Sequence, residues 1–387
     1  MDILYSPLKT ALDCNYYEKL VQIPIIERLS FDYTWKLILT NLLDIQDLFE
    51  SGKIKENIAL IFNNQNYLKQ LYSHIDPFTE AIIFVIFISI VHYLLTIISN
   101  NYSQVDKAWS VLPAIYSWHF FYHDYLNRGT IHPRLLIASI LISIWGFRLT
   151  WNFARKGGYK WDGQDYRYPY IKSKIGPIAM GILNLIMICP FQDLLLLFIV
   201  SPLYVTSLTY VATEAETTTA MALNRMDWLA LFFFLFFFSI ESIADEQQYQ
   251  FQTEKYALLS YLNRQQLKGD YQRGFFTQGL FKYSRHPNFF SEMGMWWSIY
   301  LFSIGSTVGL THALQESIDW YDPFTYINWT IVGPITLTLL FQGSTWLTEY
   351  ISSEKYIDYD TYRKSVSRFI PWFPKNNLFN SSHEKND

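Results

Sequence analysis

An arginine, a histidine, an asparagine and a glutamate stand within one short stretch, Tyr283-Ser284-Arg285-His286-Pro287-Asn288-Phe289-Phe290-Ser291-Glu292. It opens a hydrophobic run that continues to about Leu310. A charge near the middle of a membrane helix costs roughly 2.5–3.5 kcal/mol, so these groups belong at a helix start. There, free backbone N–H groups and the positive end of the dipole favour an anion. Pro287 suits the first turn, where its missing donor would have been unpaired anyway. Such a cluster at the cytosolic rim of a membrane helix reads as a binding site for something large, anionic and water-soluble.

Three further groupings could carry chemistry. Glu241 and Asp245 are four residues apart and share one helix face. Two buried like charges need a compensating partner, which is either an ion pair to a neighbouring segment or the donors of a ligand. Arg148, Arg155, Arg273 and Arg285, with Lys282, form a basic set whose guanidinium forks suit phosphates. The same residues also satisfy a general bias toward basic cytosolic loops. Asp106, in Val105-Asp106-Lys107-Ala108-Trp109-Ser110, is either a proton donor to a carbonyl in an apolar pocket or a helix-start residue favoured by the dipole. The aromatic and basic run Tyr356–Pro374 fits either an interfacial belt or a stacking surface for a cofactor ring. His286 has no second ligand at helical spacing, so no metal site is expected. No Gly-rich dinucleotide fingerprint and no Walker lysine loop occurs, so no Rossmann fold is expected.

The elements that must hold these residues are membrane helices. Half of the 387 residues are hydrophobic and only 17% are charged, below the quarter typical of soluble domains. A net charge of −4 argues against a nucleic-acid partner, and two cysteines give no disulfide framework. Neither a cleaved signal peptide nor a mitochondrial presequence is expected. About seven spans are expected, near 79–98, 107–126, 134–154, 177–204, 227–245, 288–310 and 328–349. Pro190 should kink or split the fourth. Residues 155–174, 246–287 and the tail after Ile351 each hold six Lys/Arg, while 311–326 hold none. This alternation puts the basic loops and the C-terminus in the cytosol. Residues 1–77 read as a polar and amphipathic extension with helices at Thr34–Leu48 and Ile54–Leu71. Residues 78–375 read as the membrane domain, and 376–387 as a disordered tail.

The segments "GLFKYSRHPNFFSE", "ESIADEQQYQF", "YRKSVSRFIPWFP", "VDKAWS" and "WGFRLTWNFARKGG" together resemble the steroid 5-alpha-reductase-like superfamily. Within it, they are most similar to the branch known only as a membrane domain of unknown function. The resemblance spans roughly residues 79–374. It implies an all-α polytopic reductase of the endoplasmic reticulum or a bacterial membrane, using NADPH to reduce a carbon–carbon double bond, commonly one conjugated to a ketone. By motif, it implies that Asn288 and Glu292 contact the cofactor, with Tyr283, Arg285 and His286 beside them. Glu241 and Asp245 take the places of an Asn/Asp pair that grips it, the glutamate replacing an amide. Arg148 and Arg273 match arginines on the phosphate side, and Tyr362 lies in the matching C-terminal stretch. Trp145 takes the place of a tyrosine that helps hold a substrate's keto oxygen, and Asp106 falls near a catalytic glutamate. With tryptophan in place of tyrosine, steroid specificity is not implied.

The expected activity is therefore NADPH-dependent reduction of a lipid-like sterol, enone or fatty-acyl substrate drawn from the membrane lipids, with no obligate protein partner. One rival is an S-adenosylmethionine-dependent methyltransferase of the isoprenylcysteine or phospholipid type, which shares the Arg-His-Pro signature. Another is a non-catalytic membrane relative.

Overall fold

The computed structural model describes residues 23, 25–50, 69, 72–209, 214–314 and 323–375. Among these residues the fold is all-α, with no strand and a single isolated bridge between Ser284 and Ser367. Four helical segments are long and apolar enough to cross a bilayer: Pro77–Ser99, Pro133–Arg155, Arg167–Ser207 and Thr218–Leu259. The expected spans near 107–126, 288–310 and 328–349 are also helical.

Helix α1 (Phe31–Glu50) belongs to the N-terminal extension and packs on the bundle through Tyr33, Leu37 and Ile38. Most of the second expected helix of that extension, Ile54–Leu71, lies outside the described residues, as does the expected disordered tail at 376–387. Helix α2 (Pro77–Ser99) starts where Asp76 accepts a bond from the Thr79 N–H at 2.8 Å, with Pro77 in its first turn. It ends at Asn100 in the left-handed conformation (φ 49°), which asparagine tolerates better than most residues. The short α3 (Gln104–Ala108) leads into α4 (Leu112–Arg128). The polar residues of α4 find local partners. His119 and His123 lie 2.8 and 2.9 Å from the Pro77 and Ile75 carbonyls, and Asp124 pairs with Arg128 at 2.9 Å.

Helix α5 (Pro133–Arg155) is tied at its start by Arg134, fully buried, whose Nε lies 2.8 Å from Asp227 Oδ1. Helix α6 (Arg167–Leu183) breaks at Gly176 (φ 83°), just before Pro177. It continues as a π-helical segment, Asn184–Phe191, that absorbs Pro190, and then as α7 (Gln192–Phe198) and α8 (Ser201–Ser207). The expected disruption at Pro190 is thus a widened turn, which re-pairs the backbone around the missing donor.

Helix α9 (Arg225–Leu259) has 35 residues. At about 1.5 Å each they span about 52 Å, well beyond a hydrocarbon core of about 30 Å. Its start is fixed by reciprocal bonds between Asn224 and the first turn. Helix α10 (Pro287–Ala313) runs against it through small residues. A Cβ at Gly294 would meet the Phe237 ring at 2.5 Å, and one at Gly305 would meet the Asp227 carboxylate at 2.4 Å. Helix α11 (Val332–Lys355) and the short α12 (Tyr359–Ser365) close the fold.

Candidate functional site

Helices α3, α5, α6, α9, α10 and α11 converge on a cavity of about 940 Å³. Its two halves differ in chemistry. One is polar, lined by Asp106, Asn152, Glu241, Asp245, Asn288 and Glu292. The other is apolar, lined by Met187, Ile188, Phe191, Leu339, Leu340 and Leu347. Leu339 is 65% exposed and Met187 41%, so the apolar half opens on the outer face of the bundle, between the π-helical segment and α11.

The polar half is built from matched helical spacings. Arg148 and Asn152 are four apart on α5, and Glu241 and Asp245 are four apart on α9. Arg148 lies 2.6 Å from Glu241 Oε1 and 2.7 Å from Asp245 Oδ2, and Asn152 donates to the same Asp245 oxygen at 2.9 Å. The compensation that two neighbouring carboxylates require thus comes from one guanidinium, which also lies over the Phe238 ring at 5.7 Å. Asn288 and Glu292 share one face of α10, and Glu292 accepts a bond from Trp109 Nε1 at 3.2 Å.

Asp106 reaches the cavity because the loop after α5 folds back on α3. Asn101 donates to the Trp161 and Gly163 carbonyls at 3.2 and 2.9 Å, and the Asp165 N–H donates to Ser103 Oγ at 2.9 Å. These ties set Tyr168 beside Asp106, its hydroxyl donating to Oδ1 at 3.3 Å. Burial raises the Asp106 carboxyl to a pKa of about 6, against the lowering effect of Arg167. Three acceptor oxygens of cavity residues are buried without a hydrogen-bond partner: Asp106 Oδ2, Gln192 Oε1 and Glu241 Oε2.

Of the residues singled out in the sequence, Asp106, Glu241, Asp245, Asn288 and Glu292 line this cavity, and Arg148 stands behind its two carboxylates. The others lie elsewhere. Trp145 is 1% exposed and stacks edge-on against Trp296, 4.9 Å away, in the core. Arg285 pairs with Glu349 at 2.7 Å and donates to the Arg363 carbonyl at 2.7 Å. His286 lies 3.1 Å from the same Glu349, and burial lowers its pKa. Tyr362 donates to the Phe281 carbonyl at 2.6 Å. The Tyr283 carbonyl accepts from the Trp372 N–H at 2.9 Å, and Arg273 pairs with Asp270 at 2.9 Å. Arg285, His286 and Glu349 together clamp the C-terminal segment against the start of α10. Glu349→Ala should therefore cost about 3–5 kcal/mol, because it strands the buried Arg285 guanidinium. Thermal unfolding in detergent would measure the loss, and an unchanged transition would show that the clamp carries no load.

Sequence reasoning passed over Asn152, Tyr168 and Gln192. The spacing of Asn152 from Arg148 was a usable signal, whereas Tyr168 enters only through the loop's return.

A family model whose description reads "Protein of unknown function (DUF1295)" matches residues 92–368. A relative described as "Uncharacterized protein C594.04c", from Schizosaccharomyces pombe, is 33% identical over 329 residues, covering 81% of this chain and 86% of the relative. No solved structure matches the chain.

Proposed function

Since the chain belongs to the DUF1295 family of unknown function, we propose, from the chemistry of its cavity, that it is a membrane oxidoreductase. It reduces a carbon–carbon double bond of a lipid-like substrate with NADPH, in the endoplasmic reticulum with its C-terminus in the cytosol. One observation supports this most directly. A single chamber joins a polar half, with buried acceptors that lack donors, to an apolar half that opens on the outer face of the bundle.

The residues present fit such a cofactor at its neutral end. A nicotinamide carboxamide and ribose hydroxyls would supply the donors that the unpaired oxygens of Asp106, Gln192 and Glu241 lack. Asn288 and Glu292 would hold the same end, and Lys156 is the cation at the rim suited to a phosphate. When bound, NADPH supplies the electron pair of the reduction. Arg148 keeps Glu241 and Asp245 in place. The apolar half orients the lipid and keeps water away from the reacting carbons. Orientation of this kind can contribute as much as about 7–11 kcal/mol of barrier reduction.

A second observation favours the methyltransferase reading. Five carboxylates line the cavity, Asp106, Asp165, Glu241, Asp245 and Glu292, against Lys156 and Arg167. That balance suits a ligand bearing positive charge, such as S-adenosylmethionine. Titrating the purified protein with each nucleotide separates the two readings. Lipid extracts of cells with and without the gene provide a second test. A reductase gives product and substrate differing by two hydrogens, and a methyltransferase gives a difference of one methylene. Binding of neither nucleotide by the folded protein would favour the non-catalytic reading.

A further inference from the structure

The aromatic and basic run Tyr356–Pro374 stands outside the chamber, since no described residue after Thr348 lines it. After α12 its backbone runs beside the residues that precede α10. The Arg285 N–H donates to the Ser367 carbonyl at 2.9 Å, and the His286 N–H donates to the Arg368 carbonyl at 3.1 Å. The Trp372 N–H donates to the Tyr283 carbonyl and the Lys375 N–H to the Ser365 carbonyl, both at 2.9 Å. Phe369 packs into the core. Ile370, Trp372 and Phe373, held on the same pinned backbone, are 67%, 71% and 75% exposed. The Phe373 ring meets the partly exposed Tyr283 ring edge-on at 5.9 Å. The charge around these groups has one sign. Residues 361–375 contain Arg363, Lys364, Arg368 and Lys375 and no Asp or Glu. Arg363 pairs with Asp360, and Arg368 lies 3.7 Å from Glu349. Lys364, Lys375 and the neighbouring Lys282 are exposed, and none of them forms an ion pair with the described residues.

We propose that this segment is an interfacial anchor that sits in the headgroup layer and selects anionic lipid. Its backbone is tied to residues just before Pro287, where α10 begins, so the three apolar side chains stand at the end of the bundle. Tryptophan and its apolar neighbours favour the boundary between water and hydrocarbon. Ile370, Trp372 and Phe373 enter the outer acyl region, and Lys282, Lys364 and Lys375 meet the negative headgroups. The first turns of α10 also carry Asn288 and Glu292, so the anchor fixes the depth of the chamber's polar half below the membrane surface.

The experiment uses the full chain reconstituted in phosphatidylcholine vesicles with and without phosphatidylserine. The signal of Trp372 is the difference in fluorescence between the wild type and Trp372→Phe. Phosphatidylcholine brominated near the headgroup should quench that signal, and aqueous acrylamide should quench it far less than it quenches free tryptophan. Brominated phosphatidylserine at the same mole fraction should quench it more strongly. Each basic residue at an anionic surface favours association about fivefold. Lys282→Gln, Lys364→Gln and Lys375→Gln together should therefore erase most of the preference for phosphatidylserine, as should high salt, while quenching by brominated phosphatidylcholine persists. Quenching by acrylamide and not by brominated lipid would place the segment in water and overturn the anchor. Shielding from both quenchers would place it against protein, a second copy of the chain included, and overturn it equally. Equal quenching of the wild type by the two brominated lipids would overturn the selection of anionic headgroups.

Discussion

Alanine at both Asn288 and Glu292 is expected to abolish NADPH binding while the protein still inserts in the membrane and unfolds at nearly its normal temperature. Both side chains face the cavity from the first two turns of α10. Glu292 has its hydrogen bond from Trp109 to lose. Removing it takes a buried carboxylate out of a carboxylate-rich pocket, which offsets that loss. A neutral hydrogen bond contributes about 0.5–1.5 kcal/mol and one to a charged group about 1.5–3 kcal/mol, so losing the Asn288 and Glu292 anchors should lower affinity roughly 30- to 1,500-fold. Equilibrium dialysis with NADPH reads this directly, and unchanged affinity would move the cofactor elsewhere in the molecule.

Replacement of Arg148 should have the opposite profile. Arg148→Met leaves Glu241 and Asp245 facing each other in the bundle with no guanidinium between them. Breaking a buried ion pair by removing one partner costs about 3–5 kcal/mol, which is a large part of the stability of an ordinary domain. Poor yield and a markedly lower unfolding temperature are the expected outcome. A triple variant, Arg148→Met with Glu241→Met and Asp245→Asn, removes all three charges together. It should recover most of that stability, because an apolar replacement of a whole buried cluster is commonly neutral. It should still fail to bind nucleotide. Recovery of both stability and binding would show that the cluster is only a structural pin.

These two sites differ in how far the sequence reveals them. Glu241/Asp245 and Asn288/Glu292 are each separated by four residues, and helical geometry alone places each pair on one face. That Arg148 and Asn152 would meet the first pair is tertiary information, since no local spacing links α5 to α9. Arg285 and His286 precede the helix rather than ride on it. Their backbone N–H groups are taken by the Ser367 and Arg368 carbonyls at 2.9 and 3.1 Å, and this turns both side chains toward Glu349. Composition made α10 legible as well, the span expected near 288–310 being the helix Pro287–Ala313, although its run is less apolar than that of α2. Helix α10 is largely buried and uses Gly294, Ser298, Gly305 and Ser306 for close approach, which dilutes its hydrophobic signal. Tyr168 could be placed only by the loop ties from Asn101 and Ser103, which join segments about 60 residues apart.

The mouth beside Leu339, Gly343 and Met187 is exposed on the flank of the bundle. On the proposed reading, a lipid-like guest entering there is supplied from a two-dimensional reservoir. Occupancy then follows the guest's mole fraction among surrounding amphiphiles rather than its bulk aqueous concentration. Adding empty micelles at fixed guest and protein should lower the rate by surface dilution, and extra buffer should not.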